Sequence, residues 1–238
     1  MKKSKIKIVI LCGGKGTRLG PATDINPKPM VKIDKDPIIL HILNYYSKFG
    51  YGNFILATGY KGHVIENFFK KRKNNFKVKC INTGLKTLTG GRLLRLKKYL
   101  KNEEYFMLTY GDGLTDQNLK KLEQFHLKKN KIGTMTTVRP PVRFGEVKVS
   151  GNLITKFKEK PQITQSWING GFFVFNNKIF NFLKSDNEML ESRPLEKLVE
   201  AKQLSAFKHK GFWQCMDTQR DREYLQKLIK KNKALWKK

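Results

Sequence analysis

Cysteine is scarce in this sequence: Cys12, Cys80 and Cys215 are odd in number, far apart and never paired as CxxC. That argues against a disulfide framework and a thiolate zinc site, and it fits a reduced cytoplasm. Each thiol reads as a small buried residue rather than a nucleophile. No run of 18 apolar residues occurs, so no transmembrane helix and no membrane partner are expected. The N-terminus is basic, but the apolar run Ile8 to Cys12 is too short for a signal-peptide core, and the expected location is cytoplasmic. His41, His63, His126 and His209 are scattered, without the HxxxH spacing of a metal site, and read as structural.

Acid and arginine are the other shortages. Asp and Glu number 19 against 49 Lys and Arg, a formal charge of +30, and only nine of the 49 are Arg. Such a surplus invites a nucleic-acid reading, because clustered cations release counterions from phosphate backbones. The lysines, however, run from Lys2 to Lys238 in pairs rather than in one stripe. Arg, whose fork reads phosphates and base edges, is rare. No nucleic-acid partner is expected, and a lineage bias toward Lys accounts for the count equally well.

What is present is enough for a folded chain. Apolar residues are 39% and charged residues 29% of 238 positions, a composition of folded rather than disordered proteins. Ile6 to Leu11 is a β-branched run ending in glycines, a buried strand. Pro37 opens a helix marked by Ile38, Ile39, Ile42, Leu43 and Tyr46 and ended by Gly50. Strands at Phe54 to Ala57, Lys77 to Ile81 and Tyr105 to Thr109 alternate with helices around Val64 to Phe69 and Leu93 to Leu100. A further helix is expected from about Asp116, as its cap, to Lys129. This alternation predicts an α/β fold, Rossmann-like, with a doubly wound and mainly parallel sheet and ligands beyond the carboxyl ends of the strands.

After about Val138 the pattern becomes strand-rich. Phe144 to Val149 and Leu153 to Phe157 flank Ser150-Gly151-Asn152 as a hairpin, and Phe172 to Phe175 is another strand. Helices at about Lys178 to Leu183, Pro194 to Lys202 and Arg220 to Lys231 close the chain. No long linker occurs, so one domain over 1–238 is expected, with a first half to about 138 and an added β-rich part from about 139.

The most informative segment is Leu11-Cys12-Gly13-Gly14-Lys15-Gly16-Thr17-Arg18-Leu19. Glycines just after a first strand let backbone N–H groups approach a phosphate. A dinucleotide fingerprint fails, because its third glycine falls on Leu19, and Gly20-Pro21, Pro27 and Pro29 prevent an immediate long helix. A Walker P-loop is absent. A loop that wraps a triphosphate and brings Lys15, Arg18 and Lys28 as cations remains, beside the blander reading of a glycine turn with surface lysines. Taken alone, Asp112 in Gly111-Asp112-Gly113 is more often just a turn residue. Asp217 could cap the helix that follows it. Glu159-Lys160 could be an exposed charge pair.

Gly13-Gly14-Lys15-Gly16-Thr17-Arg18-Leu19 followed by Pro27-Lys28-Pro29-Met30 resembles the signature of the sugar-1-phosphate nucleotidyltransferases. Thr89-Gly90-Gly91-Arg92-Leu93 and Phe212-Trp213-Gln214 are similar to the glucose-1-phosphate cytidylyltransferase branch of that family. Gly59-Tyr60-Lys61-Gly62, Thr109 to Gly113, Arg143-Phe144-Gly145, Glu159-Lys160-Pro161 and Ile168 to Val174 agree in order, so the resemblance runs from about Ile6 to Trp236.

The resemblance implies that a sugar 1-phosphate, preferably glucose 1-phosphate, attacks CTP to give a CDP-sugar and pyrophosphate, with Mg²⁺. It implies Arg18, Lys28, Asp112 and Asp217 as catalytic residues, the two aspartates being the metal ligands. Nucleotide contacts are implied from Leu11, Gly13, Gly14, Lys15, Gly16, Thr17, Arg18, Thr87, Arg92 and Gly111, with Thr89 and Gly90 as neighbours that could read the base. Lys160, Glu159, Asn169, Gly145 and Gly170 are implied for the sugar phosphate. Lys28, between two prolines, is expected on extended backbone.

The family is oligomeric, which implies a homo-oligomer, and its products feed nucleotide-sugar supply, as for lipopolysaccharide O-antigen. The stretch Phe69 to Asn82 is short where the branch carries a longer insertion. Lys15 also stands where a neutral residue is usual. The alternatives are the same chemistry with UTP, dTTP or another phosphorylated sugar or polyol, and a non-catalytic basic module. Arg18, Lys28, Asp112 and Asp217 together weigh against the last.

Overall fold

The computed structural model describes residues 4–20, 22–140, 146–158 and 166–237. Seven strands form the central sheet: β1 Ser4–Cys12, β2 Tyr51–Thr58, β3 Lys77–Asn82, β4 Tyr105–Tyr110, β5 Gly133–Val138, β6 Ile168–Asn176 and β7 Leu204–Lys208. Their order across the sheet is β7-β5-β6-β4-β1-β2-β3. β1 is parallel to β2 and β4, β2 to β3, and β5 to β7, whereas β6 is antiparallel to both of its neighbours. The expected mainly parallel sheet is therefore present, with one reversed strand, β6, third from one edge.

Alternation along β1 and β2 explains the two faces. Ile8, Ile10, Cys12, Phe54 and Leu56 point to one side. Val9, Leu11, Ile55 and Ala57 point to the other. A strand buried on both faces needs apolar residues at every position. On the first side pack α1 Ile38–Lys48 and α2 Gly62–Lys70. On the second pack α3 Thr89–Arg95 and the short helix Lys97–Leu100. α4 Leu119–Lys129 and α6 Gln219–Lys230 join the first layer, and α5 Arg193–Glu200 joins the second. Helices on both faces make the sheet doubly wound.

Several local expectations need correction. α4 starts at Leu119, capped by the Asn118 side chain, which accepts from Lys121 N at 2.9 Å, so Asp116 is not the cap. The helix expected from Lys178 to Leu183 is a 3₁₀ turn, Asn177–Asn181, which buries Ile179 and Phe180. The predicted helix through Leu93 to Leu100 is two pieces. Lys28 is not extended: Pro27 is, and Lys28–Met30 form a 3₁₀ turn closed by Met30 N to Pro27 O at 2.7 Å and Val31 N to Lys28 O at 3.1 Å. Pro29 fits there because that position of a turn needs no donor. The hairpin is present as Glu146–Ser150 and Leu153–Lys158, with Gly151 at φ +55° in its turn.

Candidate active site

The ends of β1, β2 and β4 meet because Leu11 pairs with Tyr110 and with Ala57. Beyond them lies a cleft of about 510 Å³, within the range of small-molecule sites. Leu11, Gly13, Gly14, Gly16, Arg18 and Lys28 line it from the first loop. Thr87, Thr89 and Arg92 line a second wall, and Gly111, Asp112, Asn169 and Asp217 a third. Lys15, Thr17, Gly90 and Gly170 are not in this lining. A Cβ on Gly90 would stand 2.7 Å from Glu188 O, and one on Gly170 3.0 Å from Thr136 O, so both glycines serve chain packing. Glu159, Lys160 and Gly145 lie outside the described residues.

Gly16 is at φ +69°, the left-handed region that favours glycine. The N–H groups of Gly14, Lys15 and Gly16 donate to no group among the described residues. The loop then turns through Thr17–Leu19, and Arg18 stays exposed at its mouth.

Two acidic residues far apart in the sequence, Asp112 and Asp217, are brought together by a small ribbon. Gly113–Thr115 pairs antiparallel with Trp213–Cys215, Gly113 opposite Cys215, and Met216 N donates to Asp112 O at 2.9 Å. Thr218, not Asp217, caps α6: its side chain accepts from Asp221 N, and Asp221 accepts from the N–H groups of Asp217 and Thr218. The Asp217 carboxylate is thereby left to the cleft. Lys28 Nζ lies 2.5 Å from Asp112 Oδ2 and 2.6 Å from Asp217 Oδ1, and Arg18 Nη1 lies 2.5 Å from Asp217 Oδ2. Burial by itself would lower the Lys28 pKa, but Asp112 and Asp217 outweigh it and hold the ammonium above its ordinary range. Two hard carboxylates that converge on one cation also fit a divalent metal, whose remaining positions phosphate and water would fill.

The neighbouring thiols are not poised for attack. Burial raises the Cys12 pKa well above the usual thiol range, and burial, with Asp112 and Asp217 nearby, raises Cys215 to about 11. The Thr89 hydroxyl is committed: it donates to Glu191 Oε2 at 2.5 Å and accepts from Leu190 N at 2.9 Å. The same Glu191 carboxylate accepts from the Tyr110 phenol, a link between two walls of the cleft that no sequence pattern announced. Tyr110, Trp213 and Met189 also line the cleft. Trp213 was visible in the Phe-Trp-Gln segment, whereas Met189 had no signal.

Comparison with known proteins follows the same lines. A family model described as Nucleotidyl transferase matches residues 7–228. The glucose-1-phosphate cytidylyltransferase of Salmonella typhi is 41% identical, over 98% of this chain and 99% of that protein. A probable glucose-1-phosphate cytidylyltransferase of Bacillus subtilis (strain 168) is 37% identical, over 98% and 99%. The crystal structure of HddC from Yersinia pseudotuberculosis superposes with a TM-score of 0.74 at 25% identity, covering 94% of this chain and 99% of that one.

Proposed function

The chain belongs to the nucleotidyl transferase family, and from that premise we propose that it transfers the cytidylyl group of CTP to glucose 1-phosphate, releasing pyrophosphate. The observation that carries the reading is the convergence of Asp112, Asp217, Lys28 and Arg18 at the mouth of a glycine loop whose N–H groups donate to no group among the described residues. Near-full-length similarity to two cytidylyltransferases supports the choice of nucleotide and sugar.

The reaction is an in-line displacement at the α-phosphorus by a sugar-phosphate oxygen, and it needs no covalent enzyme intermediate. Catalysis is then positioning and charge neutralisation. The loop amides of Gly14 to Gly16 cradle the triphosphate, and Arg18 clamps the β- and γ-phosphates of the leaving group. Lys28 turns from the carboxylates to the α-phosphate and the attacking phosphate, where charge redistributes in the transition state. Asp112 and Asp217 would hold Mg²⁺, which supplies charge neutralisation on the triphosphate when bound. Asn169, with Lys160, Glu159 and Gly145 from the sequence pattern, takes the sugar phosphate.

A pyrophosphate-release screen tests this by crossing CTP, UTP, dTTP and GTP with several sugar phosphates in the presence of Mg²⁺. CTP with glucose 1-phosphate is expected to exceed every other pair at least tenfold. A different preferred pair would reassign the substrates, and no release with any pair would remove the enzymatic reading.

A further inference from the structure

The resemblance assigns Arg92 to the nucleotide, and in the structure most of its guanidinium is engaged by the protein. Nη1 donates to Thr58 O at 3.1 Å, Thr83 Oγ1 at 2.7 Å and Gly84 O at 2.8 Å, and Nη2 donates to Gly13 O at 2.9 Å. Nη1 has two hydrogens for three acceptors, so nothing remains on it for a ligand. The residue is only 4% exposed. Its acceptors sit at three neighbouring strand ends: Gly13 follows β1, Thr58 ends β2, and Thr83 and Gly84 follow β3. One side chain from α3 thus staples the loops that wall the cleft.

Two further observations make this more than a structural bond. First, no carboxylate among the described residues is paired with this guanidinium; its partners are carbonyls and a hydroxyl, and burial, with Arg95 nearby, disfavours its charge. A buried charge is ordinarily paired, so this one is a buried positive charge with no carboxylate partner among the described residues, directly under the first glycine of the loop. Second, glycines are kept clear for it. A Cβ on Gly13 would stand 2.0 Å from Arg92 Nη1, and one on Gly59 2.6 Å from the same atom. The first loop glycine therefore yields space to the guanidinium rather than to a ligand.

We propose that Arg92 is the positioning residue of the phosphate loop: it fixes the Gly13 backbone against β2 and β3 and supplies the buried positive charge that favours a triphosphate. This rests on the nucleotide reading given above. Lysine cannot replace it, because a single ammonium cannot bridge the separate carbonyls that a planar fork spans.

The test is equilibrium binding of CTP by titration calorimetry, with thermal stability and both KM values measured alongside. Arg92→Lys weakens CTP binding at least tenfold and raises the KM for CTP to match, while the KM for the sugar phosphate stays within twofold. Gly13→Ala, which drives a methyl group into the guanidinium, gives a similar loss. The two losses do not multiply: in the Arg92→Lys background, Gly13→Ala costs less than twofold, since the clash has no target. If Arg92→Lys fails to fold, Thr83→Val, which removes one acceptor, carries the test with a threefold or greater loss. CTP binding unchanged within twofold in the folded variants, multiplying losses, or an equal rise in both KM values would overturn the assignment of Arg92. Wild-type protein that bound no nucleoside triphosphate would instead overturn the nucleotide reading on which it rests.

Discussion

Asp217 reaches Asp112 by backbone, not by chance of side-chain reach: the N–H of Met216 donates to the Asp112 carbonyl at 2.9 Å, at the end of a ribbon that sets Cys215 opposite Gly113. Both carboxylates then close on Lys28. Asp112→Ala and Asp217→Ala are each expected to lower turnover by at least about two orders of magnitude, because the pair positions the charge-neutralising cation. Chelation with EDTA should abolish turnover in the parent protein. Steady-state pyrophosphate release reads both, and near-normal activity in either variant would show that the carboxylates serve only the Lys28 ion pair.

Gly16 carries a separate demand. At φ +69° any L side chain is strained, by roughly 1–2 kcal/mol, and a Cβ there would stand 2.6 Å from Lys28 Cβ. Gly16→Ala should therefore cost about that much stability in urea unfolding and at least about tenfold in turnover, because the Lys28 turn must give way. A stability loss with turnover intact would separate the loop from the lysine.

The parts of the fold that were legible share a cause. β1 and β2 carry unbroken apolar runs, Ile8 to Cys12 and Phe54 to Ala57, that give way to Gly13 and Thr58, which marks both a buried strand and the edge of a cleft. The Gly-Asp-Gly turn after β4 exposed Asp112 for the same reason. β5 was not read as a strand, because threonines at positions 134, 136 and 137 look polar; in the fold Thr134 contacts His126 Nδ1 at 2.9 Å and Thr136 donates to Gln117 Oε1 at 2.8 Å. The reversal of β6 was equally hidden, since an apolar run such as Phe172 to Phe175 has no direction in its composition. The commitment of Arg92 to three strand ends is a long-range property that spacing along the chain does not encode.

His126 gives a pH signature. Burial holds its imidazole at about 4, below its ordinary 6.5. The unfolded chain therefore binds a proton across that window when the native one does not, so stability is complete above about pH 6.5 and is lost as pH falls toward 4. His41, lowered first by burial, acts in the same direction. Melting temperatures from pH 7 to pH 4 should fall more steeply for the parent than for His126→Gln, which has no imidazole to protonate. Parallel curves would show that His126 is protonated without cost.

Trp236 tests whether the chain's end belongs to the core. It is 1% exposed, stacks on Phe212 with ring centroids 5.4 Å apart, and meets His41 edge-on. Phe212 directly precedes the Trp213–Cys215 strand, so this stack lies beside the ribbon that carries Asp217 but outside the cleft lining. Removing a buried indole costs both transfer energy and a cavity, so Trp236→Ala is expected to lose about 3–5 kcal/mol. Trp236→Phe keeps the stack and should recover more than half of that loss. None of the charged groups of the cleft touches Trp236, so turnover per folded molecule, measured well below the melting temperature, should stay within about threefold. A loss under about 1 kcal/mol in urea unfolding would mean that the last turn, Leu235–Lys237, packs without contributing to the fold, and a collapse of turnover without a stability change would mean that the stack serves the ribbon alone.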